Sequence, residues 1–213
     1  MHVMIAGATG LVGGAFLHEM VKDSRVSKIS LLVRREVPEL LLDERVEAVI
    51  VRFPELAERE PLAEVDIMVC ALGSTIKKAG TKERLFEIDC LYTEAAACYA
   101  KRCGATQLLA VSSIGASPRA SSHYLQTKGE MERRLKALGF HGSHIFRPSL
   151  LLGDRQESRF GESLAARFMA PLSGLIPKAY RPVEASLLAQ SMADIAFKGE
   201  PGGHFYTGSH WFS

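Results

Sequence analysis

The chain has 213 residues, 47% of them hydrophobic and 23% charged, with a formal net charge of +2. That length fits one well-buried α/β domain, and the near-neutral balance calls for neither nucleic acid nor an anionic membrane as a partner. No stretch approaches the about 18 uninterrupted apolar residues of a membrane span. The opening MHVMIAGATG lacks the basic start and long apolar run of a secretory signal, so a cytoplasmic location is expected.

Taken in chain order, a short apolar run at residues 3–6 stops at a glycine turn, and residues 11–21 then show helical spacing. Further apolar runs follow at residues 29–33, 46–51 and 66–72. Residues 85–102 read as a long alanine-rich helix, 107–111 as a fifth strand, 122–138 as a helix and 144–146 as the start of a sixth strand. Beyond Pro148 the pattern changes. Residues 150–159 read as a charged loop, 162–169 and 184–198 as helices joined by a connection at 171–182, and 203–207 as a final edge strand. Strands alternating with helices predict βαβ units with right-handed crossovers. The expected fold is therefore α/β, a doubly wound Rossmann-type parallel sheet, covered on both faces because its strands are near-continuously apolar. Residues 1–213 are expected to form a single domain, with 150–213 as a small cap over the sheet's carboxyl edge.

Cys70, Cys90, Cys98 and Cys103 fit neither a CxxC pair nor a disulfide framework, and read as reduced thiols. His141 and His144 have no nearby cysteine or carboxylate companions, so no metal site is expected.

The most specific motif is Gly7-Ala8-Thr9-Gly10-Leu11-Val12-Gly13, which follows the first strand and opens the first helix. In that position Gly7 permits a tight turn, Gly10 lets the backbone approach a pyrophosphate, and Gly13 lets helix and strand pack closely. The helix N-terminus adds free N–H groups and a partial positive charge. The second strand ends in Val33-Arg34-Arg35, where an NAD-selective site usually has an acid for the ribose 2′-hydroxyl. A guanidinium fork suits a 2′-phosphate instead, so NADP is expected, with NAD as the alternative.

Ser113 closes the fifth strand, and Tyr124 and Lys128 form Tyr-x-x-x-Lys, one turn apart if Ser121 or Ser122 caps their helix. Carbonyl reduction needs a proton donor at the nascent alkoxide. A free tyrosine, with a pKa of ~10, serves better beside an ammonium that favours its phenolate. Lys128 could supply that charge and bond the nicotinamide ribose, while Ser113 polarises the carbonyl.

With these residues in place the chain resembles the atypical branch of the short-chain dehydrogenase/reductases. GATGLVGG, LVRR, ALGST, VSSIGAS, YLQTK and FRPSLLLGDRQESR, in that order, are similar to the small Tat-interacting-protein-like oxidoreductases. The resemblance implies that Gly7, Thr9, Gly10, Leu11, Val12 and Gly13 hold the pyrophosphate and that Arg34, with Arg35 beside it, meets the 2′-phosphate. Ala71, Leu72 and Gly73 would line the adenine and ribose side. Arg147, Pro148 and Ser149 would lie near the nicotinamide, and residues 154–159 (DRQESR) would border the substrate. The Asn that many relatives carry after the fourth strand has no counterpart in FEIDCLY, where Asp89 is nearest. The expected activity is NADP(H)-dependent oxidoreduction of a small carbonyl or alcohol by Ser113, Tyr124 and Lys128. An NADP(H)-binding sensor without turnover is the second reading and a nicotinamide-using epimerase the third. Exposed helix faces flanking the sheet could pair two copies as a homodimer.

Overall fold

In the strands of this chain, alternate residues bury on opposite faces. Val3 and Ile5 join one apolar cluster while Met4 and Ala6 join another, as the period of two along a strand requires. The computed structural model describes residues 1–62, 64–153 and 181–208. In chain order these form β1 (His2–Ala6), α1 (Leu11–Lys22), β2 (Lys28–Val33), β3 (Val46–Ile50) and β4 (Ile67–Cys70). Next come α2 (Ile76–Ala79), α3 (Lys82–Phe86), a π-turn (Glu87–Leu91), α4 (Tyr92–Arg102), β5 (Gln107–Val111), α5 (His123–Ala137) and β6 (Gly142–Phe146). The described chain closes with β7 (Leu151–Leu152), β8 (Val183–Glu184), α6 (Ala185–Lys198) and β9 (Gly202–Tyr206).

Seven strands form one sheet in the order β3-β2-β1-β4-β5-β6-β9, and every neighbouring pair is parallel. All residues of β1, β4 and β5 are buried, as expected for strands covered on both faces. On one face Phe16 and Met20 of α1 and Leu188 and Met192 of α6 meet Val3, Ile5, Leu31 and Val69. On the other, Ala96, Tyr99 and Ala100 of α4 and Met131 and Leu135 of α5 meet Met4, Met68, Leu108 and Ala110. This is the doubly wound Rossmann arrangement.

Two stretches differ from the sequence expectation. The helix expected at residues 85–102 starts at Lys82 and is interrupted by the π-turn at Glu87–Leu91, which admits one extra residue per turn. Of the expected cap, α6 packs against α1 and β9 pairs with β6, so both belong to the main layers. The physical reason is the apolar stripe of α6 (Leu188, Ala189, Met192, Ala193), which finds its cover on the sheet. Among the described residues of that stretch, the small β7–β8 pair stands at the carboxyl edge, where the Val183 N–H donates to the Leu150 carbonyl at 2.9 Å. The charged stretch at 154–159 and the helix expected at 162–169 lie outside the described residues.

Candidate functional site

The carboxyl ends of β1, β4 and β5 and the turn after β6 surround a cavity of about 450 Å³. It sits beside the point where the chain runs to β2 on one side of β1 and β4 lies on the other, the switch point at which such sheets bind ligands. Its wall includes Gly10, Leu11 and Val12, then Ala71 to Ile76, Ser112 and Ser113, Tyr124 and Lys128, and Pro148 to Leu151.

The glycine turn is built by close contacts. Gly7 adopts φ +99°, and a Cβ there would stand 2.5 Å from the Ala71 carbonyl oxygen. A Cβ on Gly13 would stand 2.2 Å from the Gly7 carbonyl oxygen. Gly10 is different: its nearest neighbour would be the Gly7 oxygen at 3.2 Å, and it is exposed at the N-cap of α1 with no side chain capping the helix. The first turn of α1 holds no acidic residue, and its leading N–H groups lack helical acceptors. This bare helix start, with a side-chain-free approach at Gly10, fits the phosphates of a dinucleotide. Thr9 is exposed in the same turn, and Arg34 and Arg35 are exposed just after β2, outside the cavity lining and without an ion-pair partner among the described residues.

Opposite the glycine turn, α5 carries Tyr124 and Lys128 on one face, both on the cavity wall, with Ser113 half-buried nearby. Ser122 is the N-cap of α5, though its side chain makes no capping bond. The register of α5 is fixed at Gly129, where a Cβ would lie 2.2 Å from the Ser117 carbonyl carbon. Lys128 is buried, and its ammonium donates to the carbonyls of Leu72 at 3.4 Å and Val111 at 3.3 Å. It also lies 3.3 Å from Asp89 Oδ2. Burial opposes the Lys128 charge, but the Asp89 carboxylate and Tyr124 outweigh it and hold the group above the usual lysine range.

The structure brings together Ser113, Tyr124, Lys128, the Gly10–Val12 turn, Ala71, Leu72, Gly73, Pro148 and Ser149. It does not bring Arg147 to the cavity. Its guanidinium pairs with Glu132 of α5, Nε donating to Oε1 at 2.9 Å, and lies 4.4 Å over the Phe205 ring. The expectation of Arg147 near the nicotinamide gives way to this ion pair, because a nearly buried Glu132 needs a cation. Sequence reasoning passed over Ser74 and Thr75, although ALGST contained them, and Glu132, which also accepts from Ser112 at 2.5 Å.

A family model described as NAD(P)H-binding matches residues 7–163. The rat (Rattus norvegicus) protein HTATIP2 is 38% identical over 172 residues, covering 80% of this chain and 71% of its own length. The Eremothecium gossypii protein FMP52, mitochondrial, is 36% identical over 167 residues, covering 78% of this chain and 74% of its own. Among solved structures, the human epimerase family protein SDR39U1 with NADPH superposes with a TM-score of 0.66 at 17% identity, covering 97% of this chain and 74% of that one. A putative NAD-dependent epimerase/dehydratase from Bacillus halodurans gives 0.69 at 21% identity, covering 96% and 92%. These two likenesses speak for the fold alone. The cytoplasmic expectation is overturned, since FMP52 relatives from several fungi are named mitochondrial; a missing secretory signal says nothing of that compartment. With a glycine turn, a cavity at the switch point of the sheet and relatives this similar along most of its length, the chain belongs to the NAD(P)H-binding family, in the atypical short-chain dehydrogenase/reductase group that includes HTATIP2 and FMP52.

Proposed function

We propose that the protein is an NADP(H)-dependent oxidoreductase acting on a small carbonyl or alcohol. The observation that carries this reading is the convergence of Ser113, Tyr124 and Lys128 on the cavity that also holds the glycine turn. The bound nicotinamide would supply or accept the hydride. The chain's own residues would do the rest. The bare start of α1 and Gly10 hold the phosphates, Ser113 Oγ orients the carbonyl oxygen, and the Tyr124 hydroxyl exchanges the proton with it. Lys128 places a cation beside the phenol. NADP is preferred to NAD because Arg34 and Arg35 stand exposed after β2, where a carboxylate would repel a 2′-phosphate.

A sensor that binds the cofactor without turnover is the second reading. It is favoured by Asp89, which engages the Lys128 charge in a buried pair. NADPH absorbance with a panel of small aldehydes, ketones and quinones, for wild type and Tyr124→Phe, tests the two. Turnover lost in the phenylalanine variant is the expected result. A folded protein that binds NADPH and reduces nothing overturns the enzyme in favour of the sensor.

A further inference from the structure

An ammonium has three N–H donors. Lys128 spends two of them on the carbonyls of Leu72 and Val111, and one remains for the cavity that the residue lines. Asp89, on the π-turn, stands 3.3 Å away through Oδ2, which makes no hydrogen bond. It therefore holds the ammonium by charge without taking the third N–H. Its Oδ1 accepts the Ser74 N–H at 2.7 Å, and the Thr93 hydroxyl donates to its backbone carbonyl at 3.0 Å. With no solvent exposure of its own, Asp89 thus ties the turn after β4 to the middle of α5.

A lysine this buried sheds its proton readily unless a negative charge faces it. The titratable groups around Nζ come from three elements: Asp89 and Cys90 from the π-turn, Cys70 from β4 and Tyr124 from α5. Burial pushes the Cys70 thiol up to about 12 and the Cys90 thiol up to about 11, so both are neutral near neutral pH. Glu132, one turn beyond Lys128, is paired with Arg147. Asp89 is the carboxylate left to oppose burial, and with it Lys128 stays above the usual lysine range. The two peptide carbonyls, at 3.4 and 3.3 Å, are weaker partners for an ammonium than a carboxylate is.

We propose that Asp89 is a positioning residue for cofactor binding: it retains the Lys128 ammonium in a dry wall and pins it to the Leu72–Ser74 turn, with one N–H left for a hydroxyl of the bound nucleotide. This rests on the reading of the same cavity in which Lys128 faces the nucleotide. Asp89 itself touches no ligand. Without its carboxylate Lys128 would lose its proton within the working pH range and keep two donors where three had been. The carbonyls of Leu72 and Val111 already claim two, so the nucleotide would lose its donor first.

The test reads Lys128 directly. Protein isotope-labelled at lysine Cε is titrated by NMR, and Lys128→Gln assigns the signal. In wild type, a measurement that needs no variant, Lys128 is expected to stay an ammonium to above pH ~10.4. In Asp89→Asn, which keeps the acceptor for the Ser74 N–H and removes the charge, it is expected to lose its proton at least about two pH units lower. Asp89→Ser is the second variant should the amide not fold. NADPH affinity is then measured by fluorescence. The Kd of Asp89→Asn relative to wild type is expected to rise at least about tenfold from pH ~7 to ~10. Asp89→Asn/Lys128→Gln should show no such rise, and a merely structural loss would show none in either variant. A wild-type Lys128 that discharges near neutral pH, or one that keeps its proton equally long in Asp89→Asn, overturns the proposal. So does a Kd ratio that stays flat while the proton is lost early. These are equilibria without substrate, so a wild type that reduces no carbonyl counts against the oxidoreductase and not against Asp89.

Discussion

Gly13 and Gly7 meet backbone to backbone: a Cβ on Gly13 would stand 2.2 Å from the Gly7 carbonyl oxygen and 2.7 Å from its carbonyl carbon. Neither atom can retreat, because Gly7 is itself pressed against Ala71. Gly13→Ala should therefore cost about 3 kcal/mol in urea unfolding. Gly10→Ala meets only one tight contact, 3.2 Å from the Gly7 oxygen, and places a methyl where phosphate would approach. It should cost less stability than Gly13→Ala and weaken NADPH at least about tenfold per folded molecule in a fluorescence titration, a loss of about 1.4 kcal/mol. Unchanged NADPH affinity in Gly10→Ala would remove the phosphate from this turn.

Arg34 is exposed beyond β2, so its loss should leave stability within about 0.5 kcal/mol. Arg34→Ala should weaken NADPH about tenfold and NADH hardly at all, since charge-assisted bonds to a phosphate contribute about 1.5–3 kcal/mol. Equal losses for both nucleotides would overturn the 2′-phosphate assignment.

Arg147 and Glu132 form a nearly buried pair away from the cavity. Arg147→Met should destabilise by about 3 kcal/mol by stranding the carboxylate. Its cofactor affinity per folded molecule should match wild type in a titration below the unfolding transition. A selective loss of NADPH binding without destabilisation would return Arg147 to the cofactor.

His144 is buried on β6, stacked on His204 with ring centroids 5.1 Å apart. Its Nε2 donates to Gln107 Oε1 at 3.0 Å, and its Nδ1 accepts from the Tyr206 hydroxyl at 3.0 Å, so the neutral ring is satisfied. Burial, then His204, lowers its pKa below the ordinary histidine value. The unfolded chain therefore binds a proton at a pH where the folded chain does not. This stabilisation is present above pH ~6.5 and is lost as pH falls from there through the folded value. Melting from pH ~7 to ~5 should lower the Tm of wild type more than that of His144→Gln. Parallel curves would show that another group governs the acid limb.

The sheet was legible because its strands are apolar runs broken by glycine turns, and the glycine turn was legible because its glycines lie within seven consecutive residues between β1 and α1. Tyr124 and Lys128 were legible from helical spacing together with their order after the glycine turn and Ser113, and both stand on the cavity wall. What spacing does not encode is a pairing that closes through space. Asp89 meets Lys128 across 39 positions of chain, and only because a π-turn shifts its direction; FEIDCLY reads as plain helix. The family resemblance implied Arg147 at the site along with Pro148 and Ser149, but successive residues leaving a strand point to opposite faces, and Glu132 waits on the other face. The cap was expected where composition changes. The apolar stripe of α6 and the five-residue β9 carry that stretch back into the main layers.

The walls of the cavity come from the segments that follow β1, β4, β5 and β6, together with α3 and α5. Parallel neighbours cannot be joined by hairpins, so every wall waits on a long crossover before it reaches its place. No single strand–helix unit can hold the nucleotide. Cofactor above its Kd therefore stabilises the cooperative unit that contains all these walls, and the melting temperature rises with nucleotide concentration.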